Sequence, residues 1–212
     1  MTARPGPALV RLTIPDEPEA WAAAGFAVVD SSVRLGPLEL VCDPSIGNEP
    51  SFGFDAPHPL GLDTLAGLAW ETISPEPAAP STGAPPHPNG IDGVDHLVIM
   101  VPDLDVARDG LVGAGLEIRR ERSATIGADA VTQLFAWAGD VLLEVVAPVG
   151  RGTDARLWGL ALTAADLDAT AAWFGDRCSP PRDAVQPGRR IATVRHEILG
   201  MAFTLAVMDR RS

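Results

Sequence analysis

Lysine and tyrosine are missing from this chain: all 16 basic residues among its 212 are arginine. Schiff-base catalysis through a lysine amine is thereby excluded, and so is a tyrosine acid. A phosphate-cradling P-loop is excluded too, because its lysine reaches the phosphates. Cysteine is nearly absent, and Cys42 and Cys178 give no disulfide framework. Positive charge is scarce. Sixteen arginines against 28 acidic residues leave a net charge of −12, which argues against nucleic acid and anionic membrane surfaces as partners. No window approaches an uninterrupted membrane span. The opening residues, MTARPGPALVRLTIPDE, lack the apolar region of a secretory signal, so a cytoplasmic protein is expected. What is present is ordinary globular composition, 46% hydrophobic and 21% charged. That is enough to build a sizeable core in one large domain or two small ones.

The second half of the chain repeats itself. Residues 94–105 read VDHLVIMVPDLD, and sixty-three positions later residues 157–168 read LWGLALTAADLD. Each copy is an alternating apolar strand running into Asp-Leu-Asp and then an Ala-containing helix. Strand-like runs follow at 131–137 and 141–147 in the first copy, and at 191–195 and 201–207 in the second. The pattern predicts an α+β fold of two βαβββ modules, at 91–149 and 156–209, with helices capped by Asp103 and Asp166. Neither module can bury its apolar face alone, so the two should pair and leave a cleft between them.

Residues 74–90, SPEPAAPSTGAPPHPNG, have the composition of an extended linker without regular structure. Residues 1–73 before it read as a third, degenerate module. A strand at 8–15 leads to a helix through Ala24, with Asp16 and Glu19 spaced as a capping box. Strands at 26–29, 33–35 and 38–42 follow. Residues 52–54 and 65–73 fit either strand or helix. Three modules leave the first without a mate in its own chain, so it either packs on the outside of the main domain or pairs with the same module of a second chain, and a homodimer is the favoured expectation.

The motifs VDHLVIMVPDLD and QLFAWAGDVLLEVVAP resemble the glyoxalase/bleomycin-resistance/extradiol-dioxygenase, or vicinal oxygen chelate, superfamily. The resemblance covers residues 91–209 and, less closely, 8–43. It implies paired βαβββ modules around a small-molecule cleft. In members that use a metal, ligands come from the first and last strands of each module. It thus implies His96 and Glu144 as ligands of a divalent ion (Zn, Mn, Fe, Ni or Mg), with Glu144 also catalytic. The second module departs from the pattern: Gly159 stands sixty-three positions after His96, and the last strand has Thr204 as its one polar side chain. The metal site is therefore incomplete.

Gln133, in phase with Phe135 and Trp137, is a candidate to orient a ligand. Trp158 and Arg190 are further candidates for substrate binding. Phe203 and Arg195 are weaker, and His58, His87 and Cys178 form no constellation. His196 and Glu197 read as surface residues. The implied function is a small-molecule cleft protein, either an enzyme with metal-assisted lyase, isomerase or dioxygenase chemistry, or a metal-free binding protein of the antibiotic-sequestering kind, or an inactive scaffold.

Overall fold

In a computed structural model of the chain, residues 6–56, 58, 60, 64–65, 67–73, 85–150 and 153–211 are described. The first module is β1 (Ala8–Ile14), α1 (Pro18–Ala23), β2 (Val28–Val29), β3 (Ser32–Leu35) and β4 (Leu38–Cys42). It is followed by β5 (Ser51–Asp55), β6 (Thr64–Leu65) and β7 (Leu68–Ile73). The next module is β8 (Ile91–Met100), α2 (Leu104–Gly113), β9 (Ile118–Ile126), β10 (Asp129–Ala138) and β11 (Val141–Pro148). The last is β12 (Arg156–Ala164), α3 (Leu167–Phe174), β13 (Arg182–Asp183), β14 (Arg190–Val194) and β15 (Thr204–Asp209).

These strands form two mixed sheets of the same plan. One has the order β2-β3-β4-β1-β5-β7-β6 and the other β13-β14-β15-β12-β8-β11-β10-β9. In every half the first strand runs parallel to the last: β1 with β4, β5 with β7, β8 with β11, β12 with β15. The halves join through antiparallel first strands, β1 with β5 and β12 with β8. Residues 51–73 are thus a reduced fourth module, whose described residues include no helix. It pairs with the first module inside the same chain. The mate whose absence motivated a dimer is present, so that argument loses its premise.

Local chemistry explains the elements. Asp103 accepts hydrogen bonds from the Asp105 and Val106 amides at the start of α2, and Asp166 from the Ala169 amide at the start of α3. The α1 start differs from the capping-box reading, because Glu17 is its cap residue and provides no side-chain bond. Asp16 instead accepts from the Trp21 indole at 2.9 Å and from the Ala202 amide at 2.8 Å, tying the first module to the last. Gly139, at φ 65°, turns β10 into β11, a position that favours glycine.

Alternation in the central strands separates two faces of the eight-stranded sheet. Leu97, Ile99, Leu134, Leu143, Val145, Leu160 and Leu205 face one core shared with the helices and with Leu12, Leu40, Phe52 and Phe54 of the other sheet. Each such buried side chain stabilises the fold by roughly 1.5–3 kcal/mol. Val98, Met100, Val131 and Val146 form a separate small cluster on the opposite face, with Trp158 packed against it. That opposite face holds the candidate site. Among the described residues the seven-stranded sheet offers no equivalent: its outer face carries an ion pair between Arg11 and Glu39 at 3.0 Å, and Ile73 covers Gly53.

Of the expected linker, residues 74–84 lie outside the described residues. Residues 85–90 form no helix or strand but are pinned to the first module. The Ala27 amide donates to His87 Nδ1 at 3.0 Å, and Nε2 then donates to the Arg34 carbonyl at 3.0 Å. The Asn89 amide group donates to the Ala24 carbonyl. Partial burial holds the His87 ring below its usual range, although the Arg34 carbonyl and Asp92 pull it upward. Protonation at Nδ1 removes the acceptor that Ala27 uses. The unfolded chain then binds the proton more readily, so this contribution is full above about pH 6.5 and fades as pH falls below it. We expect about 0.5 kcal/mol, a small figure because the ring is only partly buried. Comparing urea midpoints at pH 7.5 and 5.5 should show a loss in the native chain that His87→Gln lacks. Identical pH dependence in both would refute the role.

Candidate functional site

His96 on β8, Gln133 on β10 and Glu144 on β11 project from the same face. His96 sits beside Leu142 in the parallel ladder and Glu144 beside Val98, so the two are diagonal neighbours. His96 Nε2 lies 3.8 Å from Glu144 Oε2, with side-chain exposures of 13% and 14%. The Gln133 amide nitrogen donates to Glu144 Oε1, and Arg122 Nε donates to Gln133 Oε1 at 2.5 Å. Gln133 is almost fully buried, so its amide is fixed by those two partners. Burial pushes the Glu144 carboxyl above its usual range, and the charges of His96 and Arg122 offset only part of that.

Asp95 completes the arrangement, and simple strand alternation hides it. The ladder between β8 and β12 is irregular where His96 pairs with Ala161 and Val94 with Leu162. Asp95 is the residue left over, and a bulge of this kind re-aims a side chain. Its carboxylate receives His96 Nδ1 at 2.8 Å, Arg189 Nη2 at 2.7 Å and Arg211 Nε at 3.0 Å. Burial alone would raise the Asp95 carboxyl. The hydrogen bonds from His96, Arg211 and Arg189 outweigh it and hold the group well below the usual carboxylate range.

This fixes the imidazole. Asp95 can only accept, so Nδ1 donates, and in the neutral ring the lone pair is then on Nε2. That lone pair faces a carboxylate oxygen. The pair is balanced when a proton, a cation or a donor group of a ligand lies between them.

A pocket of about 420 Å³ opens beside Glu144. Phe135, Trp137 and Leu142 form its apolar floor, and Arg119, Arg120, Arg122, Arg189 and Arg211 stand around it. The Arg122 guanidinium lies 5.2 Å from the Phe135 ring centroid, and that of Arg211 lies 4.6 Å from the Trp137 ring. A depression of about 570 Å³ beside Cys178, Ser179 and Arg195 is larger. It has no facing acid and base, and burial raises the Cys178 thiol away from nucleophilic use. Burial likewise pushes Cys42 up to about 12, with help from Asp16 and Glu19.

The donors do not add up to a resident metal centre. Among the described residues no group of three or more His, Cys, Asp or Glu is placed to hold a metal ion. His96 Nε2 and Glu144 Oε2 are two donors, one fewer than catalytic zinc usually takes from protein. The nearby Gln133 oxygen already accepts from Arg122. The second module contributes Gly159 and, at the rung matching Glu144, Ala206 beside Ala161. No step is therefore derived through a metal.

The remaining sequence candidates are dispersed. Trp158 lies on the cleft face but within the apolar cluster of Val98 and Met100. Arg190 is engaged by Asp209 and by both oxygens of Asp168 in α3, while its neighbour Arg189 reaches Asp95. Phe203 is in the main core. His196 is in a single 3-10 turn beside Glu197 at 3.5 Å, and Arg195 is exposed at the Cys178 depression. Asp95, Arg120, Arg122 and Arg211 belong to the site without a sequence signal that singles them out. Asp95 was adjacent to His96 in plain sight, but alternation put it on the other face. The arginines of β9 sit in IRRERSATI, which resembles a charged loop more than a strand.

No protein-family model matches the sequence, and no curated protein matches it. Its likeness is to solved structures. A mutant of 4-hydroxymandelate synthase from Streptomyces coelicolor is similar over 97% of this chain and 93% of that one, at 11% identity and a TM-score of 0.63. Methylmalonyl-CoA epimerase from Mycobacterium tuberculosis is similar over 58% of this chain and 91% of that one, at 20% identity and a TM-score of 0.46. The likeness to the synthase structure shows a shared fold, and the paired βαβββ modules are those that the resemblance around His96 and Glu144 implied. Among the described residues, no helix is long and apolar enough to cross a membrane.

Proposed function

We propose that this protein is an enzyme that moves a proton on a small molecule bound against the open face of the eight-stranded sheet. One observation carries the reading: His96 Nε2 and Glu144 Oε2 face each other at 3.8 Å, nearly buried, with Asp95 fixing which nitrogen points inward. A carboxyl raised by burial and facing an oriented imidazole is suited to general acid–base catalysis. Glu144 takes a proton from an acidic carbon or hydroxyl of the ligand. His96 accepts or returns it, and Asp95 stabilises the imidazolium that forms. Gln133 holds the Glu144 carboxylate in place, and Arg122 supplies positive charge beside it.

The test is deuterium exchange followed by proton NMR in D₂O, across a panel of small 2-oxo acids and thioesters with acidic C–H bonds. The native protein should exchange at least one member, and Glu144→Gln should be slower by about 100-fold. Undiminished exchange in Glu144→Gln would sink the proposal. Titration with Mn²⁺ separates the rival use of the same pair. Weak binding, equal in native protein and His96→Ala, fits proton transfer. Tight binding that needs His96 would replace this reading with a metal site.

A further inference from the structure

We infer that the ligand of this cleft is a flat organic acid, with its carboxylate held by Arg120 and Arg122 and its body on Phe135 and Trp137. The inference rests on reading the cleft as a ligand site, and its test does not depend on the chemistry at Glu144.

Charge accounting motivates it. The chain carries a net charge of −12, yet five arginines surround one pocket. Arg189 and Arg211 share the single carboxylate of Asp95. Arg119 pairs with Glu117 at 2.9 Å. Arg122 gives Nε to Gln133 and has no other hydrogen-bond partner among the described residues. Arg120, exposed at the rim of the pocket, has no hydrogen bond or ion pair among the described residues. Three carboxylates, on Asp95, Glu117 and Glu144, thus face five guanidinium groups. The surplus is at Arg120 and Arg122, which stand two residues apart on the same side of β9.

The register gives the surplus a direction. Phe135 pairs with Arg120 on one side and with Glu144 on the other. A ligand lying across Phe135 therefore spans from the arginines to the acid–base pair. The backbone distance is two strand spacings, roughly 9.5 Å, shortened by the inward reach of both side chains. An Arg fork matches a carboxylate through paired N–H donors. The apolar floor of Phe135, Trp137 and Leu142, with the Arg122 and Arg211 guanidinium groups beside the two rings, favours a planar, apolar body. A volume of about 420 Å³ suits a molecule of one or two rings.

The probes are 2-naphthoate, its neutral isostere 2-naphthamide, and inorganic phosphate, followed by calorimetry and tryptophan fluorescence at two salt concentrations. Naphthoate should bind, and the amide should bind about tenfold more weakly or less. Arg120→Gln should weaken naphthoate by a similar factor and flatten its salt dependence. Among the described residues Arg120 has no hydrogen-bond or ion-pair partner, so this change tests binding without removing a contact of that kind. Arg122→Gln should weaken it as well. Glu144→Gln should bind the acid at least as tightly as the native protein, which separates a failure here from a failure of the proton-transfer reading. Equal affinity for acid and amide would overturn the inference, as would no binding of naphthoate or no effect of Arg120→Gln. Phosphate binding as tight as naphthoate would overturn it in favour of an inorganic anion site.

Discussion

Replacing Asp95 by alanine is expected to destabilise the protein by about 3 kcal/mol, because breaking a buried ion pair strands the partner charge. The Asp95 side chain is 1% exposed and that of Arg189 10%. Arg211 is more open, at 41%, and adds less. A lower urea midpoint with an unchanged slope would register the effect. Combining the change with Arg189→Met should recover part of the loss, since the stranded guanidinium is then gone. A loss under about 1 kcal/mol would mean that water screens the cluster far more than its burial implies. The same carboxylate sets an acid limit. Its folded-state affinity for protons is depressed, so its contribution is full above about pH 3.8 and declines below that. Asp95→Asn should flatten that part of the acid-unfolding curve.

Gly159→His should be destabilising by a comparable amount, about 3 kcal/mol, and should not create a metal site. The repeat invites this change, because Gly159 occupies the place of His96 in the second module. The packing forbids it: a Cβ at Gly159 would lie 2.7 Å from the Thr204 carbonyl oxygen and 3.2 Å from its Cβ. Both neighbours belong to the adjacent strand, β15, so the backbone itself must shift. Overpacking of a filled site costs about 1–3 kcal/mol or more. Thermal unfolding measures the cost, and Co²⁺ titration with visible absorption reads the metal. A stable variant that binds Co²⁺ through the new imidazole would show that the second half retains room for a ligand.

The metal expectation and the structure meet at His96 and Glu144 but part over what surrounds them. The family resemblance implies that both side chains share one cleft, and the parallel ladder brings them to 3.8 Å. The guanidinium of Arg122, one amide away from Glu144, was not visible in that reading. Strand β9 gives little strand signal in sequence, because IRRERSATI has few apolar residues. It is an edge strand with half-exposed alternation, and its pairing to β10 gives it its structure. Residues 43–73 were ambiguous for a similar reason: β5 is five residues long and β6 two, and pairing with β1 and β7 decides their conformation.

The sequence by itself determined the modules. Alternating apolar residues in 94–101 and 157–164, an aspartate cap after each, and the sixty-three-residue spacing are local features, and local features suffice for strand, helix start and repeat. Strand phase assigned His96, Gln133 and Glu144 their neighbours along each strand, and the family resemblance singled out His96 and Glu144 as candidates. Tertiary structure decided the rest, because the remaining facts depend on contacts between residues far apart in the chain. The bulge against β12 turned Asp95 toward His96. The C-terminal Arg211 crossed back to Asp95 and Trp137. Strand β5 found β1, so the first module gained its mate within the chain. Arg120 and Arg122 became a charge surplus only when the sheet placed them beside a pocket whose acids were already engaged. Periodicity is fixed by the backbone and can be read along the chain; register, bulges and charge balance are fixed by partners, and partners are supplied by the fold.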